Sequence, residues 1–514
     1  MSKRTLALVV LDGWGIGRES RSNAIYEAQP ENINRIRHTY PGGVLQASGI
    51  AIGLPWGEEG NSEVGHITLG AGKVIYQHYP RISLAVKDGS FYKNPVLLQA
   101  ASKAEFNRAA VNIVGLLTEA NVHASLEHLS ALIYLLKTQN VSKLNIHLFT
   151  DGRDGPQKGA ANLLKRISDQ IKDFPGAKIA SLGGRYFGMD RDNHPDRTKA
   201  AFDAINGRVQ PVKDVDPIRY TELAYSKGVT DEYLEPALFG SELAAKPGDS
   251  VIFFNFREDR MRQIVDMFLK TWPPGDSYFC SFTEYNPRFH IPVAFPQEKV
   301  VNPLGRVLSD NGLVQLRLAE TEKYAHVTYF FNGLREEPFP NEYRVLIPSL
   351  SLARPDEHPE MRAKEITARA ISAITEEKIY DFMLINYANP DIIAHTGNYD
   401  ATIAAIKEVD VQIGILSKIL LQNNGILMIT ADHGNAEVLI DPRTGLPETK
   451  HNPSPVPFYA VVNGWERNKT EEQMLMIESE SVGVLSDVAP TILEIMGIKK
   501  PEEMTGVSLL RELR

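Results

Sequence analysis

The stretch GILMITADHG, residues 425–434, sets the reading of the whole chain. Its short apolar run has the pattern of a strand buried in a parallel sheet. The run then breaks into Asp432 and His433, two ionisable groups at what would be the strand's carboxyl end. Open α/β sheets bind ligands at that end of their strands. Working outward, TLALVVL (5–11) repeats the pattern and stops at Asp12. FMLINY (382–387) and VPFYAVV (456–462) repeat it again, and helical patterns cover 361–376 and 400–422. Strands alternating with helices predict an α/β fold with a doubly wound parallel sheet.

The middle of the chain repeats the style on its own. AAVNIVGLL (109–117), KLNIHLF (143–149), KIASLGG (178–184) and SVIFFNF (250–256) read as strands, with helical patterns such as 124–138 and 158–173 between them. Each strand runs into a polar end: TEANVHAS, TDGRDG, RYFGMDRD and REDR. Acidic residues and histidines gather at both extremes of the chain, near 12–66 and 391–451, with a basic cluster between them. One domain is therefore expected to be discontinuous, made of 1–77 and 301–514, with a second α/β domain, 78–300, inserted into it. A length of 514 residues fits two such domains better than one core.

Bulk composition narrows the class. Hydrophobic residues make up 43% and charged residues 23%, a globular composition. A net charge of -9 gives no support for nucleic-acid binding by bulk attraction. Cys280 is the single cysteine, which leaves no internal disulfide framework and no cysteine-built zinc site. The apolar run near the N-terminus stops at Asp12 and lacks a small-residue cleavage pattern. No apolar segment approaches the roughly 20 residues that span a bilayer. A cytoplasmic protein with no membrane partner is expected.

The ionisable residues form a ligand-like set. In NPDIIAHTG, Asp391 and His395 stand four apart, so one helical turn puts both on one face. TADHGN offers Asp432 and His433, KHNPSPVP offers His451, and Asp12 ends the first strand. Oxygen and nitrogen ligands together suit borderline divalent cations such as manganese or zinc. GNSEVGH (60–66) adds Ser62, a hydroxyl among glycines in a segment with neither helical nor strand periodicity. A serine needs a base or a metal to become a nucleophile. Gly60 and Gly65 would let the backbone approach a tetrahedral anion, and nearby amides could donate to it. The set is larger than one ion usually takes, so two ions are expected.

LDGWGIG, GNSEVGH, DGRD, NFREDR, NYANPDIIAHTG and TADHGN…KHN, in this order from about residue 5 to 510, resemble the cofactor-independent phosphoglycerate mutases of the alkaline phosphatase superfamily. The resemblance implies a metal-bearing phosphatase-like domain with a second α/β domain inserted. It implies two manganese ions, other divalent cations being possible, and no requirement for 2,3-bisphosphoglycerate. One ion would be held by Asp391, His395 and His451, the other by Asp12, Ser62, Asp432 and His433. Ser62 would be the phosphorylated nucleophile. Substrate groups would be His123, Arg153, Asp154, Arg185, Arg191, Arg257, Arg260 and Lys323. Arg257 and Arg260 are assigned to the phosphate, the other arginines to the glycerate, and Asp154 to the proton shuttle ahead of His123. The partner would be a small phosphate ester and the enzyme a monomer, its domains closing on substrate to exclude water.

Two stretches depart from the family pattern: Trp56 with Glu58–Glu59 ahead of GNSEVGH, and Leu334 where a second glycine is usual. A metal-dependent phosphatase or phosphopentomutase of the same superfamily shares the serine and metals, but the basic middle domain argues against it. A catalytically inactive binding protein would have lost one of Ser62, Asp432 or His433.

Overall fold

The protein is described over residues 4–513 of a computed structural model. The chain divides into two compact units, Met1–Gln77 with Glu298–Arg514, and His78–Gln297. The sequence reading put the second join three residues later. Fourteen strands run through the described residues: β1 Leu6–Leu11, β2 Gly42–Gln46, β3 Val111–Leu117, β4 Leu144–Thr150, β5 Ala177–Gly184, β6 Ala237–Leu238, β7 Ser250–Phe253, β8 Tyr278–Ser281, β9 Gln315–Glu320, β10 Glu342–Ile347, β11 Phe382–Tyr387, β12 Ile426–Thr430, β13 Val456–Val461 and β14 Gly483–Val484.

The first unit holds one sheet in the order β10-β9-β11-β1-β12-β13-β2-β14. Its centre is parallel: Leu6 of β1 is in register with Phe382 of β11 and with Ile426 of β12. β1, β11 and β12 are buried along their whole length, which is why they are almost wholly apolar, Asn386 and Thr430 excepted, rather than alternating. VPFYAVV departs from the sequence reading. As β13 it runs antiparallel to both β12 and β2. Residues 431–455 contain no helix, and a parallel return needs a crossover that usually contains one.

The second unit holds a sheet in the order β6-β5-β4-β3-β7-β8, parallel except for β6. β7 ends at Phe253, short of the expected SVIFFNF, because the Asn255 side-chain carbonyl takes the Leu116 amide at 2.9 Å. Each unit has its own apolar core. Among the described residues no helix is long and apolar enough to cross a membrane.

GNSEVGH is not a plain loop. Ser62 is the first residue of a helix, Ser62–Ala71, capped by Asn61, whose side chain accepts from the Val64 amide at 2.9 Å. The two glycines serve packing rather than an open approach to an anion. A Cβ at Gly65 would come within 2.7 Å of Asp432 Cβ, and one at Gly60 within 2.8 Å of His433 Cβ. Glycine is what lets this helix lie against the residues that follow β12.

Candidate active site

Four neighbouring parallel strands, β9, β11, β1 and β12, deliver the ionisable groups of the first unit at their carboxyl ends. Asp12 follows β1, and Asp432 and His433 follow β12. β11 leads to the helix Asn389–Ala394, with Asp391 in its first turn and His395 at its C-cap. β9 runs straight into the helix Thr321–Ala325, which carries Lys323. His451 comes from the segment between β12 and β13. Asp12, Ser62, Lys323, Asp391, Asp432 and His433 are all buried.

Ser62 Oγ lies 3.1 Å from Asp12 Oδ1, 2.9 Å from His433 Nε2 and 2.7 Å from Lys323 Nζ. Lys323 also donates to Asp12 Oδ1 at 2.5 Å and to Asp391 Oδ2 at 2.7 Å. Burial pulls the Lys323 pKa down, but Asp12, Asp391 and Asp432 outweigh it and hold the ammonium well above the usual lysine range. Burial and the charges of Asp432 and Asp391 push Asp12 up. Asp391 is held well below the carboxylate range, against burial, by Lys323 and by its histidine partners. The cluster is a buried concentration of negative charge in which one ammonium neutralises only part.

The donor set fits metal ions. Asp391, His433 and His451 present ligand atoms within 4.8 Å of one another, and so do Asp12, Asp432 and His433. Asp432 Oδ2 is buried and has no hydrogen-bond partner. His395 Nδ1 contacts the Thr449 carbonyl and His451 Nδ1 the Gly60 carbonyl, each at 2.8 Å. A carbonyl only accepts, so both Nδ1 atoms carry protons. The two Nε2 atoms then point at each other across 3.0 Å, and at Asp391 Oδ1 across 3.2 and 3.3 Å. Two lone pairs and a carboxylate converging on one point repel unless a proton or a cation sits among them. Asp391 accordingly raises both imidazoles above the ordinary histidine pKa, at His451 against the opposing effect of burial.

In the second unit four adjacent strands do the same with opposite charge. His123 follows β3, Arg153 and Asp154 follow β4, Arg185 follows β5, and Arg257 and Arg260 follow β7. Arg191 lies six residues beyond Arg185. Arg185 is only 2% exposed and donates to Asp151 Oδ1 at 2.7 Å and to Asp154 Oδ2. Asp151 also accepts from the Thr118 hydroxyl at 2.6 Å and from the Asp154 amide at 3.0 Å, so it anchors the loop. Asp259 pairs with Arg191 at 3.2 Å and Arg257 at 3.4 Å, and its carboxylate lies 3.6 Å from the His123 ring. Arg153 reaches Glu232 at 3.6 Å, and Arg260 donates to the Met189 carbonyl at 3.2 Å. Burial and then Arg185 push His123 down to about 4, so its ring is neutral. Burial and then Arg185, Arg191 and Arg153 lower the Arg260 pKa, a sign that cationic groups are crowded here.

Sequence reasoning missed several residues that orient these groups. Asp151 and Asp259 stood inside the quoted motifs DGRDG and NFREDR. Asn435 donates to Asp391 Oδ1 at 2.8 Å, and buried Glu437 accepts from the Gly15 and Asn435 amides at 3.0 Å. His66 and Asn386 lie buried beside Ser62 and Asp12. The available signal for His66 was its spacing of four from Ser62, legible once the segment is a helix.

The family model of the metalloenzyme superfamily matches residues 4–500. A 2,3-bisphosphoglycerate-independent phosphoglycerate mutase from Methanosarcina barkeri is 43% identical over 531 residues, covering 99% of each chain. One from Moorella thermoacetica is 42% identical, covering 99% of this chain and 98% of its own. Among solved structures, a crystal structure of Leishmania mexicana phosphoglycerate mutase at low cobalt concentration matches with a TM-score of 0.52 and 28% identity. It covers 99% of this chain and 98% of that one.

Proposed function

This chain belongs to the 2,3-bisphosphoglycerate-independent phosphoglycerate mutases, and from that premise we propose that Ser62 carries the phosphoryl group between the two hydroxyls of glycerate. The protein is an enzyme that interconverts 3-phosphoglycerate and 2-phosphoglycerate. One observation supports the assignment above the others. Ser62 Oγ, at the start of a helix, is within hydrogen-bonding distance of Asp12, His433 and Lys323 at once.

We assign one manganese ion to Asp391, His395 and His451, and a second to Asp12, Ser62, Asp432 and His433. Cations bound there would lower the pKa of the Ser62 hydroxyl, whose proton would be released to solvent on metal binding, and would neutralise phosphoryl oxygens. Ser62 Oγ bonds to phosphorus as the bond from phosphorus to the glycerate oxygen breaks. Amides in the first turn of the helix Ser62–Ala71 donate to phosphoryl oxygens, and Lys323 balances their charge. The leaving oxygen takes a proton from Asp154. Arg153, Arg185 and Arg191 retain the freed glycerate, and Arg257 and Arg260 hold the phosphate, since a guanidinium fork suits both anions. After the glycerate turns, its other hydroxyl attacks phosphoserine and returns the proton to Asp154, so Ser62 leaves as the alkoxide it began as. His123, neutral, is a hydrogen-bond partner for the phosphate.

Ser62→Ala tests the reading. The variant should fold, keep manganese binding at the Asp391 site, lose about 10⁴-fold or more in kcat, and show no phosphoserine by mass spectrometry. Near-normal turnover would remove Ser62 from the role. A monomeric state belongs to the same proposal and is checked by sedimentation velocity of the manganese-loaded enzyme.

A further inference from the structure

His66 lies one helical turn beyond Ser62 and is fully buried, as is Asn386 near the end of β11. His66 Nδ1 is 2.8 Å from the Ser62 main-chain oxygen. That oxygen only accepts, so Nδ1 carries the ring proton. Asn386 Nδ2 donates to Asp12 Oδ2 at 2.7 Å, which fixes the orientation of the amide. The same nitrogen is 3.2 Å from His66 Nε2. An amide nitrogen only donates, so Nε2 is the acceptor. Each hydrogen bond from the serine carbonyl through the imidazole and the amide to the Asp12 carboxylate therefore has one allowed direction, and the imidazole has one allowed tautomer.

We propose that His66 and Asn386 are positioning residues that tie the main chain of Ser62 to the carboxylate of Asp12 from inside the protein. The role rests on the reading of Ser62 as nucleophile and Asp12 as a metal ligand. Asn386 holds Oδ2 of Asp12, which turns Oδ1 toward Ser62 Oγ and Lys323. His66 Nδ1 passes 3.2 Å from Asp432 Oδ2 without a hydrogen bond, which leaves that oxygen available as a ligand. Groups behind a metal ligand that orient it in this way typically change metal affinity or activity by about 10–100-fold when removed. A nucleophile displaced by about 1 Å costs on the order of 10²-fold in rate.

Two substitutions at one position separate positioning from packing. His66→Leu keeps most of the volume and offers no donor; His66→Asn leaves a void but puts an amide N–H near the place of Nδ1. In the manganese-loaded full chain, His66→Leu should lower kcat about 10–100-fold with KM within about twofold, and His66→Asn should recover most of that loss. Asn386→Leu should weaken one of the two manganese sites about tenfold or more, read from the electron paramagnetic resonance of free manganese. Ring-nitrogen NMR of the metal-free protein should show His66 as the Nδ1–H tautomer. A leucine variant at least as active as the asparagine variant would mean the ring only fills space and would overturn the proposal, as would an Nε2–H tautomer or unchanged manganese binding in Asn386→Leu. If the tautomer and the manganese result hold while Ser62→Ala still turns over, the nucleophile assignment fails and the tie from Ser62 to Asp12 stands.

Discussion

The two units use the same device with opposite sign. Each sets ionisable side chains at the carboxyl ends of four adjacent parallel strands. In the first, Asp12, Asp391 and Asp432 surround the Lys323 ammonium, and imidazole lone pairs converge on one of the carboxylates. In the second, Arg153, Arg185, Arg191 and Arg257 meet Asp151, Asp154, Asp259 and Glu232, while Arg260 donates to the Met189 carbonyl. The first cluster is buried with a carboxylate oxygen unmet, so it calls for cations. In the second, Arg185 is locked while Arg153, Arg191 and Arg257 are about half exposed, at 54%, 47% and 51%, so it calls for an anion that arrives from solvent. The architecture settles where chemistry collects. The side chains settle which charge is wanted, and burial settles whether the site is already rigid.

The widest break in this division would come from removing one side of it. Replacing residues 78–297 with a short flexible linker should abolish mutase turnover yet leave manganese binding in the first unit. Product analysis should then find at most slow hydrolysis of phosphate esters. A truncate that still converts 3- to 2-phosphoglycerate, or one that folds and binds no manganese, would dissolve the division. A single arginine gives a smaller effect. Arg257→Ala should raise KM about 10–100-fold, the worth of a charged hydrogen bond, with manganese affinity unchanged. A shift in manganese affinity at constant KM would reverse the assignment.

Acid should act on the protein by two routes. The raised imidazoles His395 and His451 must lose a proton to bind metal, so manganese binding weakens as pH falls through their values. Raising manganese should move the acid limb of the activity profile to lower pH. In the second unit burial pushes His128 and His147 down to about 3. The unfolded chain protonates them below about 6.5, so folding stability falls as pH drops from about 6.5 toward 3. Melting curves should show that loss with or without manganese. The smallest effect lies outside both clusters. Leu334 has φ 69°, a left-handed conformation that costs an L-residue about 1–2 kcal/mol. Leu334→Gly should raise stability by about 1 kcal/mol, after the entropy that glycine adds to the unfolded chain, without changing kcat or KM.

How much was legible in the sequence follows from where each residue sits. Asp12 directly follows β1, and Asp432 and His433 come one residue after β12, so two near-continuous apolar runs marked weak individual signals. The helix at Ser62 was hidden because Ser62, Gly65, His66, Thr68, Leu69, Gly70 and Ala71 are all buried. A helix covered on most sides shows no amphipathic stripe. The direction of β13 was hidden because an apolar run has the same composition whichever way it pairs. His66 and Asn386 were overlooked because a buried polar residue declares itself only through its partners, and Asn386 is 320 positions from His66.

β1 lies between β11 and β12, and this placement governs how the chain can be made. On the ribosome, the inserted unit is complete once Gln297 has emerged. β1 has by then been waiting since Leu11, and its first partner starts at Phe382, about 370 residues later. At about 5–20 residues per second the wait is roughly 20–75 s. Throughout it, the most apolar strand of the first unit has no sheet to join. The insert can fold from contacts within itself, whereas the larger unit closes only when the last third of the chain returns to the beginning. Synthesis of this enzyme therefore has a long interval in which half its architecture is finished and the other half is an exposed hydrophobic segment, the stage at which chaperone protection or misfolding would be decided.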